Sequence, residues 1–372
     1  EIMPSLVGSE MCIRDRYKMR ENKVVYGLIG YGGMGRWHTE ILSNVPEAVI
    51  GGIYDIKEEK REEAKAKGFS VYETEEAMLA DSDIDVVLIA TPNDCHKPIA
   101  IRAMHAGKNV ISEKPVTLSS ADLLEMEKVA KETGKLFTVH QNRRWDDDFL
   151  IIKKLVEEQK LGHVFRIESR VHGSRGIPGD WRKEKVHGGG MVLDWGVHLL
   201  DQILYMYGDR KIETVYASLT NITNQEVDDG FTAILTFEGG TEVLVEVGTN
   251  NYISLPRWYV LGKDGTAVIR DWQLTGEIIR KTGKTEETVI PVKTAAGLTK
   301  TMAPRREDTI VKEDLPKVSG DIADFHRNVV AVIRDGAEPE IKLFQVMRVM
   351  KLMEAIFQAA ETKQVIEFQD QV

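Results

Sequence analysis

Three side chains in this sequence are suited to moving a proton or stabilising an oxyanion. Asp194 and His198 lie four residues apart in a stretch with helical periodicity, so we expect them to share one helix face. Histidine is well matched to proton transfer near neutral pH, and the carboxylate could orient or polarise it. Lys114 follows the apolar run 109–112, and a cation at the carboxyl end of a strand could stabilise oxyanion character. A helix-surface salt bridge is the alternative for Asp194 and His198.

A glycine-rich turn follows the first apolar run, at 24–29. Its G-x-G-x-x-G spacing suits a backbone that turns tightly, lets a pyrophosphate approach and then begins a helix whose N–H groups face the anion. The six residues are Gly30, Tyr31, Gly32, Gly33, Met34 and Gly35. Asp55 ends the next apolar run twenty residues later, where dinucleotide folds place a carboxylate on the ribose hydroxyls. The pattern favours a nucleotide site over a glycine turn in an ordinary α/β core.

Other polar residues at predicted strand ends are candidates for the walls of this site. A helix-capping turn is the alternative for residues 91–96, because Pro92 holds Thr91 out of the helical region. Candidate cofactor contacts are Thr91, Pro92, Asn93, His96, Glu113, Lys114 and Asn142. Candidate substrate contacts are Lys114, His172, Trp181, Arg182, Asp194 and His198, although an anchoring role suits Trp181 equally well. No metal site is predicted, because the nine histidines lack H-x₃-H or H-E-x-x-H spacing.

The elements that would position these residues fall into two parts. Residues 24–140 alternate strand-like and helix-like segments six times, which predicts a doubly wound parallel sheet with its ligand crevice at the carboxyl ends of the strands. The predicted strands are 24–29, 48–54, 69–72, 85–90, 109–112 and 136–140, and the predicted helices are 57–67, 98–106 and 121–133.

Period-two alternation dominates after about residue 145, which predicts an α+β domain with a mostly antiparallel open sheet. We expect a helix at 149–160, a strand at 163–172, a helix at 191–208, hairpin turns at 238–240 and 263–265, an unpatterned surface segment at 293–318, and closing helices at 320–335 and 341–362. The predicted domains are 19–142 and 143–372, and the closing helices could pack back toward the first domain.

Composition limits the function classes. A chain of 372 residues has room for two domains, and its net charge of −10 argues against nucleic acid or an anionic membrane as a main partner. Two cysteines, Cys12 and Cys95, imply no disulfide framework and fit a reducing cytoplasm. Residues 1–18 show neither helical nor strand periodicity and resemble translated sequencing adapter, so we expect a non-native leader in which Cys12 has no meaning.

Together these motifs resemble the Gfo/Idh/MocA oxidoreductases, the relatives of glucose-fructose oxidoreductase and inositol dehydrogenase. The motifs are the turn at 30–35, residues 90–93 with His96, residues 113–115, and the glycines 188–190 followed by Asp194 and His198. The resemblance implies a Rossmann NAD(P)-binding domain and a C-terminal domain whose open sheet commonly forms homo-oligomers, here a dimer or tetramer. It implies a catalytic triad of Lys114, Asp194 and His198.

The same resemblance implies a sugar, polyol or sugar-derivative substrate oxidised at a secondary alcohol. Asp55 favours NAD over NADP, because a carboxylate accepts the 2′-hydroxyl but repels a 2′-phosphate, although Lys57 and Lys60 weaken that preference. Two alternatives stay open: a glycoside hydrolase that oxidises its sugar transiently with bound NAD, and a non-catalytic dinucleotide-binding sensor.

Overall fold

The computed structural model describes residues 23–285 and 288–368. The predicted leader at 1–18, with Cys12, lies outside the described residues. Among the residues described, no helix combines the length and apolar character needed to cross a membrane.

The first sheet has five parallel strands in the order β2-β1-β3-β4-β5, as the alternating pattern predicts. Their apolar runs are nearly continuous because helices cover both faces. The strands are β1 Val24–Ile29, β2 Ala48–Tyr54, β3 Val86–Ile89, β4 Asn109–Ser112 and β5 Phe137–Val139. The helices are α1 Gly33–Leu42, α2 Glu58–Ala66, α3 Glu75–Ala80, α4 His96–His105 and α5 Ser120–Thr133.

The predicted strand at 69–72 is wrong. Only Val71 pairs with the sheet, through a single bridge to Ile53. The segment cannot extend, because Thr74 accepts a hydrogen bond from the Ala77 N–H at 3.1 Å and begins α3, a helix that the periodicity did not reveal.

The second sheet has nine strands in the order β15-β12-β11-β10-β6-β9-β8-β7-β16, and β6 with β9 is its one parallel pair in the part of the chain described. The prediction of a mostly antiparallel sheet is confirmed. Residues on β8 and β9 alternate between buried and partly exposed, so one face packs on the core and the other stays open. The strands are β6 Val164–His172, β7 Ile212–Thr220, β8 Gly230–Phe237, β9 Thr241–Gly248, β10 Trp258–Gly262, β11 Gly265–Ile269, β12 Gly276–Lys281, β15 Ile310–Glu313 and β16 Ile366–Glu367.

The segment 293–318 is more ordered than the sequence suggests. A small hairpin, β13 Val292–Thr294 with β14 Gly297–Thr299, begins it. Ile310–Glu313 then pairs antiparallel with β12 and becomes an edge strand of the large sheet. Each residue of this strand is partly or fully exposed, so neither face carries the buried apolar residues that produce an alternating pattern.

Four helices complete the second part: α6 Asp147–Glu157, α7 Val197–Tyr207, α8 Ala323–Asp335 and α9 Leu343–Thr362. The last two contact the first sheet and its helices. Thr138 on β5 donates to the Ile341 carbonyl at 3.2 Å, and Glu354 on α9 accepts from the Ser120 N–H at 2.7 Å. The C-terminal helices therefore buttress the parallel sheet, while the domain limits at residues 142 and 143 stay a prediction.

Candidate active site

The glycine turn provides the close approaches that a dinucleotide site needs. Gly30 has a φ of +96°, and a Cβ there would lie 2.5 Å from the Ala90 carbonyl oxygen. A Cβ on Gly35 would lie 2.1 Å from the Gly30 carbonyl oxygen. Because glycine has no Cβ, helix α1 can begin close to the end of β1. Larger residues at these two positions would separate the turn from its neighbours.

The start of α1 suits an anion. A Cβ on Gly32 or Gly33 would meet nothing within 4 Å, and no side chain caps the helix. The N–H groups of the first turn, which includes Met34, therefore have no side-chain cap. Asp55 lies beside them, where its Oδ2 accepts from the Tyr31 N–H at 2.7 Å. The chain thus fits a pyrophosphate at the turn and a ribose next to Asp55.

The second wall, at 91–96, is held by its own polar groups. Asn93 Nδ2 donates to the Gly188 carbonyl at 2.9 Å and so joins this loop to the triple glycine. The His96 ring lies between the carbonyls of Thr91 and Pro115, each 2.9 Å from a ring nitrogen. Both side chains are buried, so they shape the loop, and their predicted cofactor contacts stay predictions.

Lys114 and Asp194 meet, although they are 80 residues apart. The Lys114 ammonium donates to the Asp194 main-chain carbonyl at 2.8 Å and lies 3.2 Å from its Oδ1. The same Oδ1 lies 3.3 Å from Arg182 Nε. Burial opposes ionisation of Asp194, but the Lys114 and Arg182 cations outweigh it and lower the pKa of this carboxyl below its usual value. Asp194 is therefore an anion that holds Lys114 in place.

A π-helical segment, Val192–Gly196, precedes α7 and changes the orientation of Asp194. The predicted helix at 191–208 exists, but its first turn is wider than an α-helical turn, so a spacing of four no longer stacks two side chains. Asp194 turns toward Lys114 and Arg182. The expected contact between Asp194 and the His198 ring is therefore absent from the part of the chain that the structure describes.

His198 is a buried neutral imidazole. Burial lowers the pKa of His198 well below its usual range, and the Lys114 and Arg143 cations add to this effect. The ring nitrogen Nδ1 has no hydrogen-bond partner among the described residues. A neutral histidine with a free ring nitrogen is the form that accepts a proton.

Four other candidates from the sequence make no hydrogen bond to the side chains of Lys114, Asp194 or His198. Trp181 stacks on Arg182, with the guanidinium carbon 4.6 Å from the ring centre. His172 is held by Glu246 at 3.0 Å and by the Leu255 N–H at 3.2 Å, so both of its ring nitrogens are occupied. Glu113 directs its carboxylate to His38 and His140, at 2.7 and 2.9 Å. Asn142 has a buried Oδ1 without a partner in the described ranges.

Two separate sequence models match the chain, and both describe one family. Residues 24–141 match the oxidoreductase family with an NAD-binding Rossmann fold, and residues 149–268 match the GFO/IDH/MocA C-terminal domain. This chain belongs to the Gfo/Idh/MocA family. An NAD-binding protein from Listeria innocua of known crystal structure is 50% identical, with a TM-score of 0.90 over 93% of this chain and 100% of that chain.

Curated Gfo/Idh/MocA relatives include two inositol dehydrogenases. The scyllo-inositol 2-dehydrogenase (NADP(+)) of Bacillus subtilis is 27% identical over 95% of this chain and 98% of that protein. The myo-inositol 2-dehydrogenase of Thermotoga maritima is 30% identical over 58% of this chain and 65% of that protein.

The structure of this Gfo/Idh/MocA protein also shows neighbours of His198 that the sequence did not reveal. The Arg143 guanidinium carbon lies 4.2 Å from the centre of the Trp195 ring, and that ring lies 5.8 Å from the His198 ring. Trp272, on the turn between β11 and β12, lies 6.0 Å from Trp195. The sequence around Trp272 gives no sign of this contact, because only the folded sheet brings the turn to Trp195.

Asp201, on the same helix, makes a buried pair with Arg144 at 2.6 and 2.7 Å. We expect Asp201→Ala to lower the free energy of unfolding by about 3–5 kcal/mol, because it leaves the Arg144 guanidinium buried without its carboxylate. Urea unfolding measures this. Glu157→Ala is the matched control, since it breaks an exposed pair with Lys153 and should cost less than about 1 kcal/mol. Equal losses in the two variants would contradict the assignment.

Proposed function

We propose that this protein is an NAD(P)-dependent dehydrogenase that oxidises a secondary alcohol of a sugar, a polyol or a sugar derivative. The observation that carries the proposal is the Lys114–Asp194 contact at 3.2 Å, with the buried neutral His198 on α7, the helix that directly follows the π-helical segment of Asp194. Two relatives named as inositol dehydrogenases support the substrate class. The oxidoreductase family of the chain supports the reaction type.

Each of the three residues has a distinct part in the reaction. When bound, the nicotinamide dinucleotide supplies the hydride acceptor. Lys114 has three N–H donors, of which two point to Asp194, so one remains for the substrate oxygen. That bond strengthens as the alcohol oxygen gains negative charge. His198 accepts the hydroxyl proton. Asp194 positions the ammonium group, rather than tuning the imidazole as the i, i+4 spacing suggests.

Purified protein tested against a panel of inositols and sugars with NAD and with NADP would examine this proposal. We expect at least one compound to give a steady rise in the absorbance of the reduced nicotinamide. Cleavage of a glycoside without such a rise would instead support the hydrolase, and cofactor binding without turnover of any compound would support the sensor. A homo-oligomer formed through the open sheet, either a dimer or a tetramer, and a cytoplasmic location stay predictions.

The cofactor preference depends on Asp55. We expect NAD to bind about tenfold more tightly than NADP, or about 1.4 kcal/mol, because the carboxylate accepts a ribose 2′-hydroxyl and repels a 2′-phosphate. Asp55→Asn should reduce the difference by removing the charge while keeping an acceptor for the Tyr31 N–H. Glu73→Gln, a largely exposed carboxylate near Arg61, is the control. Equal dissociation constants for NAD and NADP in the unaltered protein would contradict the prediction. The Bacillus subtilis relative is named for NADP(+), so a preference for NADP is the alternative that this measurement tests.

A further inference from the structure

Three buried histidines cluster beside Glu113, the residue that precedes Lys114. His38 lies on α1, His140 follows β5, and His326 lies on α8; none of the three is exposed to solvent. One ring nitrogen from each lies within 4.8 Å of the other two. The absence of short-range histidine spacing therefore does not exclude a metal site, because His38 and His326 are 288 positions apart.

Glu113 determines which ring nitrogens are free. Its Oε1 lies 2.7 Å from His38 Nε2 and 2.9 Å from His140 Nδ1. A carboxylate only accepts hydrogen bonds, so both of these nitrogens carry a proton. In the neutral rings that a metal ion needs, the opposite nitrogens, His38 Nδ1 and His140 Nε2, carry the lone pairs. A metal-binding histidine typically donates its other N–H to a carboxylate in this way.

One distance and one unpaired ring nitrogen agree with a metal. His38 Nδ1 and His326 Nε2 are 3.3 Å apart and share a hydrogen bond in this structure. Two nitrogens on a tetrahedral zinc ion, each at roughly 2.0–2.1 Å, lie about 3.3–3.4 Å from each other. His140 Nε2 has no hydrogen-bond partner among the described residues, although the ring is fully buried. An unsatisfied buried polar group costs about 1–3 kcal/mol, and a bound cation would remove that cost for His140 Nε2.

We propose that His38, His140 and His326 bind one Zn²⁺ ion, with Glu113 as the carboxylate that orients two of the rings. Three imidazoles without a thiolate suit zinc, and a water molecule can complete the tetrahedron. The ion would link α1 and the end of β5 to α8, so its role is to hold α8 against the parallel sheet and its first helix. This inference rests on residues other than those of the dehydrogenase proposal, because the three histidines are hydrogen-bonded to one another or to Glu113 and not to Asp194 or His198.

The site is closed to solvent, so the metal must enter as the chain folds. The full chain should therefore be produced in minimal medium with added zinc, purified without a nickel column, and measured by inductively coupled plasma mass spectrometry. We expect about one zinc per chain. Production in cobalt medium should give the visible absorption bands of tetrahedral Co²⁺.

Variants test whether these histidines hold the ion. His326→Ala and His326→Asn should each lose most of the metal, and the asparagine keeps a polar side chain if alanine impairs folding. His105→Ala, on the exposed side of α4, should keep about one equivalent. Less than about a tenth of an equivalent in the unaltered protein would overturn the proposal and leave a network of hydrogen bonds alone. Unchanged metal in both His326 variants would place any ion elsewhere.

Discussion

Replacing Lys114 with alanine is expected to lower kcat about a thousandfold, because a donor aimed at a developing oxyanion contributes on this scale. The dissociation constant of the cofactor should change little, since the ammonium group contacts Asp194 rather than the glycine turn. The measurements are steady-state turnover of the best substrate from the panel and cofactor binding by calorimetry. A kcat near that of the unaltered enzyme would remove Lys114 from the mechanism.

Two further variants separate the charge of Lys114 from its packing. Lys114→Met keeps the length of the side chain and removes the donor, so it should be as inactive as Lys114→Ala. Lys128→Ala removes a largely exposed lysine on α5 and should leave kcat unchanged. Should Lys114→Met retain most of the activity, the loss in the alanine variant would reflect a cavity rather than a missing hydrogen bond.

The elements that the sequence predicted well have local causes. Helix α5 was expected at 121–133 and spans Ser120–Thr133, because the Ser119 hydroxyl accepts from the Asp122 N–H and Gly134 takes a φ of +64°. Strands β8 and β9 follow from alternation at a period of two. In contrast, the single bridge at Val71 depends on where α3 begins, and hydrophobic periodicity does not contain that information.

The candidate site also has features that the sequence could predict and features that it could not. The rule that parallel strands present their carboxyl ends at a common edge placed Lys114 at the ligand crevice. Its grouping with Asp194, which lies on a helix and not on that sheet, came only from the resemblance to the family. The direction of Asp194 could not be predicted, since one additional residue in a helical turn leaves no mark on the pattern of apolar residues. The contacts of Trp272 with Trp195 and of His326 with His38 join segments far apart in the sequence, so they exist only in the folded chain.

Replacing His198 with asparagine is expected to lower kcat/KM for alcohol oxidation by a factor of about 10²–10⁴, the usual contribution of a general base. Asparagine is close to histidine in size and remains polar, but it cannot accept the proton. His105→Asn, on the exposed side of α4, is the control and should keep full activity. Full activity in His198→Asn would show that another group takes the proton.

The pH dependence of the unaltered enzyme tests the same residue from a different direction. A base acts in its neutral form, and burial, Lys114 and Arg143 all lower the pKa of His198 well below 6.5. Because protonation sets in only below that lowered pKa, kcat/KM should stay level as the pH falls through 6.5 and should decline only in more acidic buffer. Arg143→Gln removes one of the cations, so the decline should begin at a higher pH. An acidic limb centred at or above 6.5 in the unaltered enzyme would contradict the assignment, because it would mean that the base is a solvated histidine or another group.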